Sequence, residues 1–215
     1  MHDDPGLFAT MYSMRAMRRL RPDAVPLALV ERIIEAGTQA PSGANTQPWA
    51  FVVVTEPAAK RFFGERYEYW LKERFGAAFA SMDWTSPAGR TARAAIDLAE
   101  HMHEAPVLVM VCGQRDWPFA VPAEARVGLA PPSYGSVYPC VQNMLLAARA
   151  LGLGASLTTM HQMFEAELHD YFGIPHTHGV VAVIPLGWPV GRFGPVRREP
   201  ARSKTHYERW GGSRP

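Results

Sequence analysis

The chain has 215 residues, 47% of them hydrophobic and 20% charged, with a formal net charge of +2. That balance supports a sizeable core and excludes wholesale disorder and a nucleic-acid footprint, since the basic residues are scattered and barely in excess. Two cysteines, Cys112 and Cys140, are too few for a disulfide framework or a cysteine metal cluster.

The start, "MHDDPGLFATMYS", lacks a basic flank followed by an apolar stretch, so no signal peptide is expected. No run approaches the ~20 apolar residues of a membrane span. A cytoplasmic protein is the expectation. "PLALVERIIEAGTQA" spaces Val30, Ile33, Ile34 and Gly37 as a helix, with Pro26 suited to its first turn. "AFVVVTEP" reads as a short buried strand stopped by Pro57. The next stretch, from Ala58 to Met82, sets Phe63, Tyr67, Trp70 and Leu71 along one helical stripe. "DWTSPAGR" breaks that pattern, and a further helix is expected from about Thr91 to Glu104.

"APVLVMVCG" is a second buried strand, in which Cys112 reads as a small hydrophobe. From Gln114 to Ser136 the chain is rich in Pro, Gly and Tyr and reads as a long surface excursion. "SVYPCVQNMLLAARALGLG" is a helix with Val137, Val141, Met144, Leu145, Ala148 and Leu151 on one face and Gly152 as its cap. "ASLTTM" is a third strand. "MFEAELHDYFGIP" is a helix with Phe164, Leu168, Tyr171 and Phe172 inside and Gly173 at its end. "HGVVAVIPLGWP" is a fourth strand, and the tail from Val190 to Pro215 carries seven Arg or Lys with little periodicity. Unequal connections between strands and helices favour a mixed α+β layer over a regular doubly wound sheet.

Three constellations stand out. "YSMRAMRRLRP" gathers Arg15, Arg18, Arg19 and Arg21, with no acidic residue until Asp23. Guanidinium forks suit phosphate oxygens, although a solvated basic face is the plainer reading of the cluster alone. "APSGANTQPW" offers the Ser42 hydroxyl, Gly43 and the amides of Asn45 and Gln47 at the mouth of a core strand. Such amides suit the edge of a planar heteroaromatic ring, and equally suit a turn whose side chains satisfy its own backbone. The pairs His101/His103 and His176/His178 sit two residues apart. The first lies on an expected helix, where such neighbours diverge, so no metal site is expected. No "GxGxxG", "GxxxxGK[ST]" or "GxSxG" occurs.

"RAMRRL", "APSGANTQPWAFVVV", "VQNMLLAARALGLGASLTT" and "VIPLGWP", in that order and followed by a basic tail, resemble the nitroreductase superfamily of FMN-dependent enzymes. Within it, the chain is similar to the iodotyrosine deiodinase branch, which shares "AGTxAPSGAxTxPWxFVVV". The resemblance runs from about Met11 to Pro200. It implies an α+β fold, a mixed sheet flanked by helices, over a single domain of residues 1–215. Segment 60–104 would be a variable helical lid, and 190–215 a tail embracing the partner in an intertwined homodimer, with FMN at the interface.

By motif match, Arg15 and Arg18, with Ala16 and Met17 between them, would hold the FMN phosphate and ribityl chain. Ala16 stands where a serine is common, so one hydrogen bond must come from elsewhere. Ser42 and Gly43 would approach the flavin ring of the other subunit, and Asn45 and Gln47 stand at polar positions near it. Thr158 and Thr159 match positions facing the ring, Arg198 matches a basic tail residue closing on the phosphate, and Arg19 and Gly187 are further candidates.

The resemblance also implies the chemistry. NAD(P)H would reduce FMN, depart, and give way to a nitroaromatic, quinone or similar acceptor in a ping-pong cycle, with no catalytic side chain and no metal required. Substrate contacts are expected from Ala44, from Glu65 and Tyr69, which share the deiodinase spacing, and from His161, which follows "TTM". The deiodinase lysine has no counterpart between Lys72 and Lys204; only Arg90 and Arg93 could replace it. The alternatives are reductive dehalogenation of a halogenated aromatic such as halotyrosine, and a non-catalytic protein that sequesters FMN.

Overall fold

The structure is a computed structural model and describes residues 5–115 and 132–214. Its helices are α1 (Leu7–Ser13), α2 (Leu27–Thr38), α3 (Pro57–Ala80), α4 (Pro87–Glu100), α5 (Pro132–Ala150) and α6 (Glu165–Phe172). Its strands are β1 (Leu20–Arg21), β2 (Trp49–Val54), β3 (Val107–Gln114), β4 (Gly154–Ala155) and β5 (His178–Pro189). Among the described residues the sheet runs β1-β5-β3-β2, with β4 also paired to β5. Each of these pairings is antiparallel, where a mixed sheet was expected. Two helices in series, α3 and α4, bring the chain back to the end of the sheet it left, so β3 runs against β2.

The unbroken apolar run of β3 follows from burial on both faces. Val107, Val109 and Val111 join α2 and α5 in one core layer. Leu108, Met110 and Cys112 join Phe63, Tyr67 and Leu71 of α3, with Leu98 and Leu168, in the other. The β3–β5 register shifts between Val111 and Cys112, which face Ala182 and Val180 respectively. Val181 is therefore the extra residue of a bulge, and Val181 and Ala182 both enter the α5-side core.

Several boundaries differ from expectation, each for a local reason. α4 starts at Pro87 because Ser86 caps it, accepting from the Gly89 N–H at 2.9 Å, and proline fits a first helical position. It ends at Glu100, and Met102–Glu104 forms a separate 3-10 turn. α5 begins at Pro132, ahead of the expected Ser136; the rest of the expected excursion, 116–131, lies outside the described residues. The "ASLTTM" strand contracts to β4 and a single bridge between Thr158 and Val183. Tyr171, expected inside, is exposed and stacks on Phe62 at 3.8 Å between ring centres. Gly173 ends α6 in the left-handed conformation at φ 64°.

α2 and α5 cross at Gly37, where a Cβ would stand 2.6 Å from Met144 Cγ and 3.1 Å from Cys140 Sγ. Gly37→Val should therefore force the helices apart and cost about 1–3 kcal/mol. A lowered urea midpoint with an unchanged m-value is the expected result; an unshifted midpoint would mean the crossing is loosely packed.

Candidate functional site

The arginine segment is an extended strip laid along the edge of β4 and β5. The Met17 N–H donates to the Ala155 carbonyl at 3.0 Å, and the Val190 N–H donates to the Arg19 carbonyl at 3.1 Å. Leu20 and Arg21 pair with Pro189 and Trp188 as β1. Glycine makes the approach possible: a Cβ on Gly154 would stand 2.8 Å from Leu20 Cδ2 and 3.0 Å from Met17 Cβ. Met17 is buried, while Arg15 and Arg19 stay exposed and Arg18 half-buried. Gly187 plays a similar packing part, since its Cβ would strike Pro106 at 2.8 Å. It does not line the cleft described next.

That cleft, of about 560 Å³, opens between the strip, the first turns of α4 and the segment after β5. Six arginines line it: Arg15, Arg18 and Arg19 from the strip, Arg90 from α4, and Arg192 and Arg197 from beyond β5. No carboxylate is among its lining residues. Arg19 pairs with Asp97 at 3.1 Å, and Arg90 donates to the Thr85 carbonyl. Arg15, Arg18, Arg192 and Arg197 have no acceptor for their guanidiniums among the described residues. So many unneutralised donors facing one space make a receptor for a strongly anionic group, phosphate above all.

Arg198, the tail residue expected here, turns its Nη1 to the Arg197 carbonyl at 2.8 Å and does not line the cleft; Arg197 does. Arg192 was not anticipated, and Arg90 only as a lysine substitute. Helical periodicity offers a signal for Arg90, which shares one face of α4 with Pro87, Thr91 and Ala94. A smaller cleft of about 180 Å³ adjoins on the far side of Arg18 and Arg19, lined also by Asp97, His101 and Glu104.

Ser42, Gly43, Asn45 and Gln47 lie elsewhere on the surface and do not line the arginine cleft. Their loop is strained: Ala44, Asn45 and Gln47 have φ of 48°, 56° and 53°, unusual for residues other than glycine. The Ser42 hydroxyl accepts from the Gln47 N–H at 3.0 Å, and the Gly43 N–H donates to Ser136 Oγ at 3.4 Å. Ser42 therefore serves the turn, as one of the two readings required. The amide groups of Asn45 and Gln47 touch each other at 3.4 Å and are otherwise exposed.

Thr158 is buried, its hydroxyl 2.8 Å from the Tyr67 hydroxyl, and its backbone bonds Val183 in both directions at 3.0 Å. Burial raises the Tyr67 pKa, opposed by the bond to Thr158 and by the charge of Arg18, which links this pair electrostatically to the strip. Thr159 is half-buried beside it. Glu65 and Tyr69 are exposed on α3, one turn apart.

His161, expected at a substrate contact, lies inside the fold. It is fully buried, and its Nε2 donates to the Val180 carbonyl at 2.7 Å, so it is a core residue and not part of an open substrate surface. Its Nδ1 makes no hydrogen bond of good geometry among the described residues, although the Thr158 backbone lies near the ring. Nearby, Glu165 accepts from the Val180 N–H at 3.0 Å and from Arg115 Nη2 at 2.7 Å. Among the described residues, no group of three His, Cys, Asp or Glu side chains is arranged to hold a metal ion.

With that geometry in view, comparison with known proteins is specific. The nitroreductase family model matches residues 12–188, and the chain belongs to that family. A Thermus thermophilus NADH dehydrogenase is 31% identical over 196 residues, covering 86% of this chain and 88% of that protein. Rat iodotyrosine deiodinase 1 is 27% identical over 180 residues, covering 81% of this chain; the chain spans 59% of the deiodinase's length. Among solved structures, oxidized iodotyrosine deiodinase bound to FMN and 3-iodo-L-tyrosine superposes with a TM-score of 0.70 at 21% identity, over 91% of this chain and 96% of that one. A nitroreductase with bound FMN from Desulfitobacterium hafniense DCB-2 gives 0.68 at 18%, over 94% and 97%. These two superpositions establish the shared α+β fold.

Burial holds the His161 pKa below its ordinary value, against the opposing pull of the Val180 carbonyl and Glu165. The unfolded chain takes up this proton near pH ~6.5, the folded chain only at lower pH. The contribution is therefore complete above that pH and is lost as pH falls through the interval between the two values. Urea unfolding from about pH 7 down to about pH 5 should show a steeper loss of stability for the native chain than for His161→Gln. Parallel slopes would show that the folded state does not resist protonation here.

Proposed function

We propose that this chain is an FMN-dependent oxidoreductase that draws electrons from NAD(P)H and delivers them to a nitroaromatic, quinone or similar acceptor. The observation that carries the reading is the cleft in which six arginines converge, four of them without an acceptor among the described residues. The donor set fits the flavin's phosphate, a monoester of about −1.5 to −2 charge that binds several guanidiniums at once. When bound, FMN supplies the redox chemistry, accepting hydride from the donor and passing it to the acceptor.

The chain's own residues then bind and orient. Arg15 and Arg18 hold the phosphate from the strip and Arg197 from the tail side, while Ala16 offers no hydroxyl between the two strip arginines. Main-chain bonds of Met17 and Arg19 fix the strip, so the guanidiniums start from an anchored backbone. Thr158, held by Tyr67, and the neighbouring Thr159 form the ring-facing end. Ser42, Gly43, Ala44, Asn45 and Gln47 stand apart from their own chain's arginine cleft, which supports their acting on the flavin of a second copy.

A homodimer agrees with the apolar residues left uncovered. Leu7, Phe8 and Tyr12 on α1 are each more than 60% exposed, and Trp210 in the tail is 90% exposed. A tail reaching over a partner would cover Trp210. Reductive dehalogenation is the second reading, favoured by Glu65 and Tyr69, which present an acid and a phenol one turn apart on exposed α3.

Arg15→Ala and Arg18→Ala should each remove a charge-assisted contact of roughly 1.5–3 kcal/mol, raising the flavin dissociation constant about ten- to a hundredfold. Quenching of FMN fluorescence measures this directly, and unchanged affinity in both variants would sink the assignment. Bleaching of the yellow protein by NADH or NADPH, and its recovery with a nitroarene, tests turnover. Recovery with a halotyrosine but no nitroarene or quinone would select the dehalogenase.

A further inference from the structure

We propose that the arginine cleft contains a second phosphate subsite, formed by Arg90 and Arg192 and distinct from the site of the flavin's own phosphate. The inference rests on the flavin reading above and follows from charge, position and room. Six arginines line the cleft; among the described residues Asp97 pairs with Arg19, and the other five have no carboxylate partner. One phosphate monoester of about −1.5 to −2 leaves roughly three of them unbalanced. Like charges gathered in one cleft repel one another, and a second anion is what relieves that repulsion.

The surplus has a location. Arg15 and Arg18 belong to the strip, whereas Arg90 projects from the first turns of α4 and Arg192 from the segment after β5. Arg90 is held by its bond to the Thr85 carbonyl, which keeps the guanidinium beside the start of its own helix. Thr91, next to it on the cleft wall, gives its hydroxyl to the Pro87 carbonyl, leaving recognition to the guanidiniums. Arg93, on the same helix, is absent from the lining and lies over the Trp84 ring at 5.9 Å. The charge is therefore sorted by position: α4 presents one arginine to the cleft and keeps the other on an aromatic face. A volume of about 560 Å³ exceeds the need of a single phosphate.

The ligand class is a phosphate ester additional to that of FMN. Two sources share that chemistry: the 2′-phosphate of a nicotinamide dinucleotide, and the diphosphate present in either nicotinamide donor. Titration calorimetry on the FMN-loaded protein separates them, using 2′,5′-ADP, 5′-AMP and inorganic pyrophosphate as probes. Binding of 2′,5′-ADP at least tenfold tighter than 5′-AMP, with weak pyrophosphate binding, assigns the subsite to a 2′-phosphate. Tight pyrophosphate binding with no such preference assigns it to a diphosphate.

In either case Arg90→Ala and Arg192→Ala should weaken the probe at least tenfold while leaving FMN affinity within about threefold, and Arg93→Ala should change neither. Failure of all three probes to bind the loaded wild-type protein would overturn the proposal, as would probe binding unaffected by both substitutions. A wild-type chain that binds no FMN defeats the flavin reading itself and the second subsite with it. Normal FMN loading without probe binding defeats the subsite alone.

Discussion

The site depends on a strip of backbone held against a sheet edge. Met17 and Arg19 are bonded to Ala155 and Val190, and Leu20 and Arg21 extend the same contact as β1. Neither β1 nor β4 is longer than two residues, so each is stable only because β5 is a long, buried template. Gly154 lets the strip close on that template, and Met17 seals the contact from below. Displacing the strip would scatter Arg15, Arg18 and Arg19 together.

Electrostatics then sets what the fold must tolerate. Six arginines in one cleft repel one another across high-dielectric solvent, a modest cost per pair that the two-layered core can carry. Asp97 on α4 relieves part of it by pairing with Arg19. The same helix contributes Arg90, so α4 both ties itself to the strip and adds charge to the opposite wall. Segment 60–104, expected as a substrate lid, thus also takes part in building the anion cleft. Its α3 portion places Tyr67 against Thr158 at the proposed ring-facing end, as a buried hydroxyl pair.

What could be read from sequence was decided by whether a signal is local. β3 was legible because burial on both faces leaves a continuous apolar run. α6 was legible from its stripe and its terminal Gly173, but Tyr171 was misplaced because stacking on Phe62 keeps its ring only partly covered. The start of α4 was misread by taking Ser86 and Pro87 as a break, when that pair is also a cap followed by a first-turn proline. β1 and β4 carry no local signature, since their pairing is entirely with distant β5.

The candidate site divides in the same way. The arginine strip and the Ser42–Gln47 loop stood out by composition alone, because so many polar groups beside a core strand need partners. Which tail arginine turns inward, Arg197 or Arg198, has no local signal in a segment without periodicity. His161 looked accessible because it follows a polar stretch, yet packing around Val180 encloses it. Arg192 enters the cleft only through tertiary placement; helical periodicity puts Arg90 on one face of α4, but no spacing rule connects either arginine to Arg15.

The most direct test of the central claim is a crystal structure of the flavin-loaded protein. The account predicts the FMN phosphate among Arg15, Arg18 and Arg197 of one chain, with the ring bordered by Thr158 of that chain and by Ser42 to Gln47 of a second copy. Flavin bound away from the arginine cleft, or bound wholly within one chain with the Ser42 loop uninvolved, would contradict it.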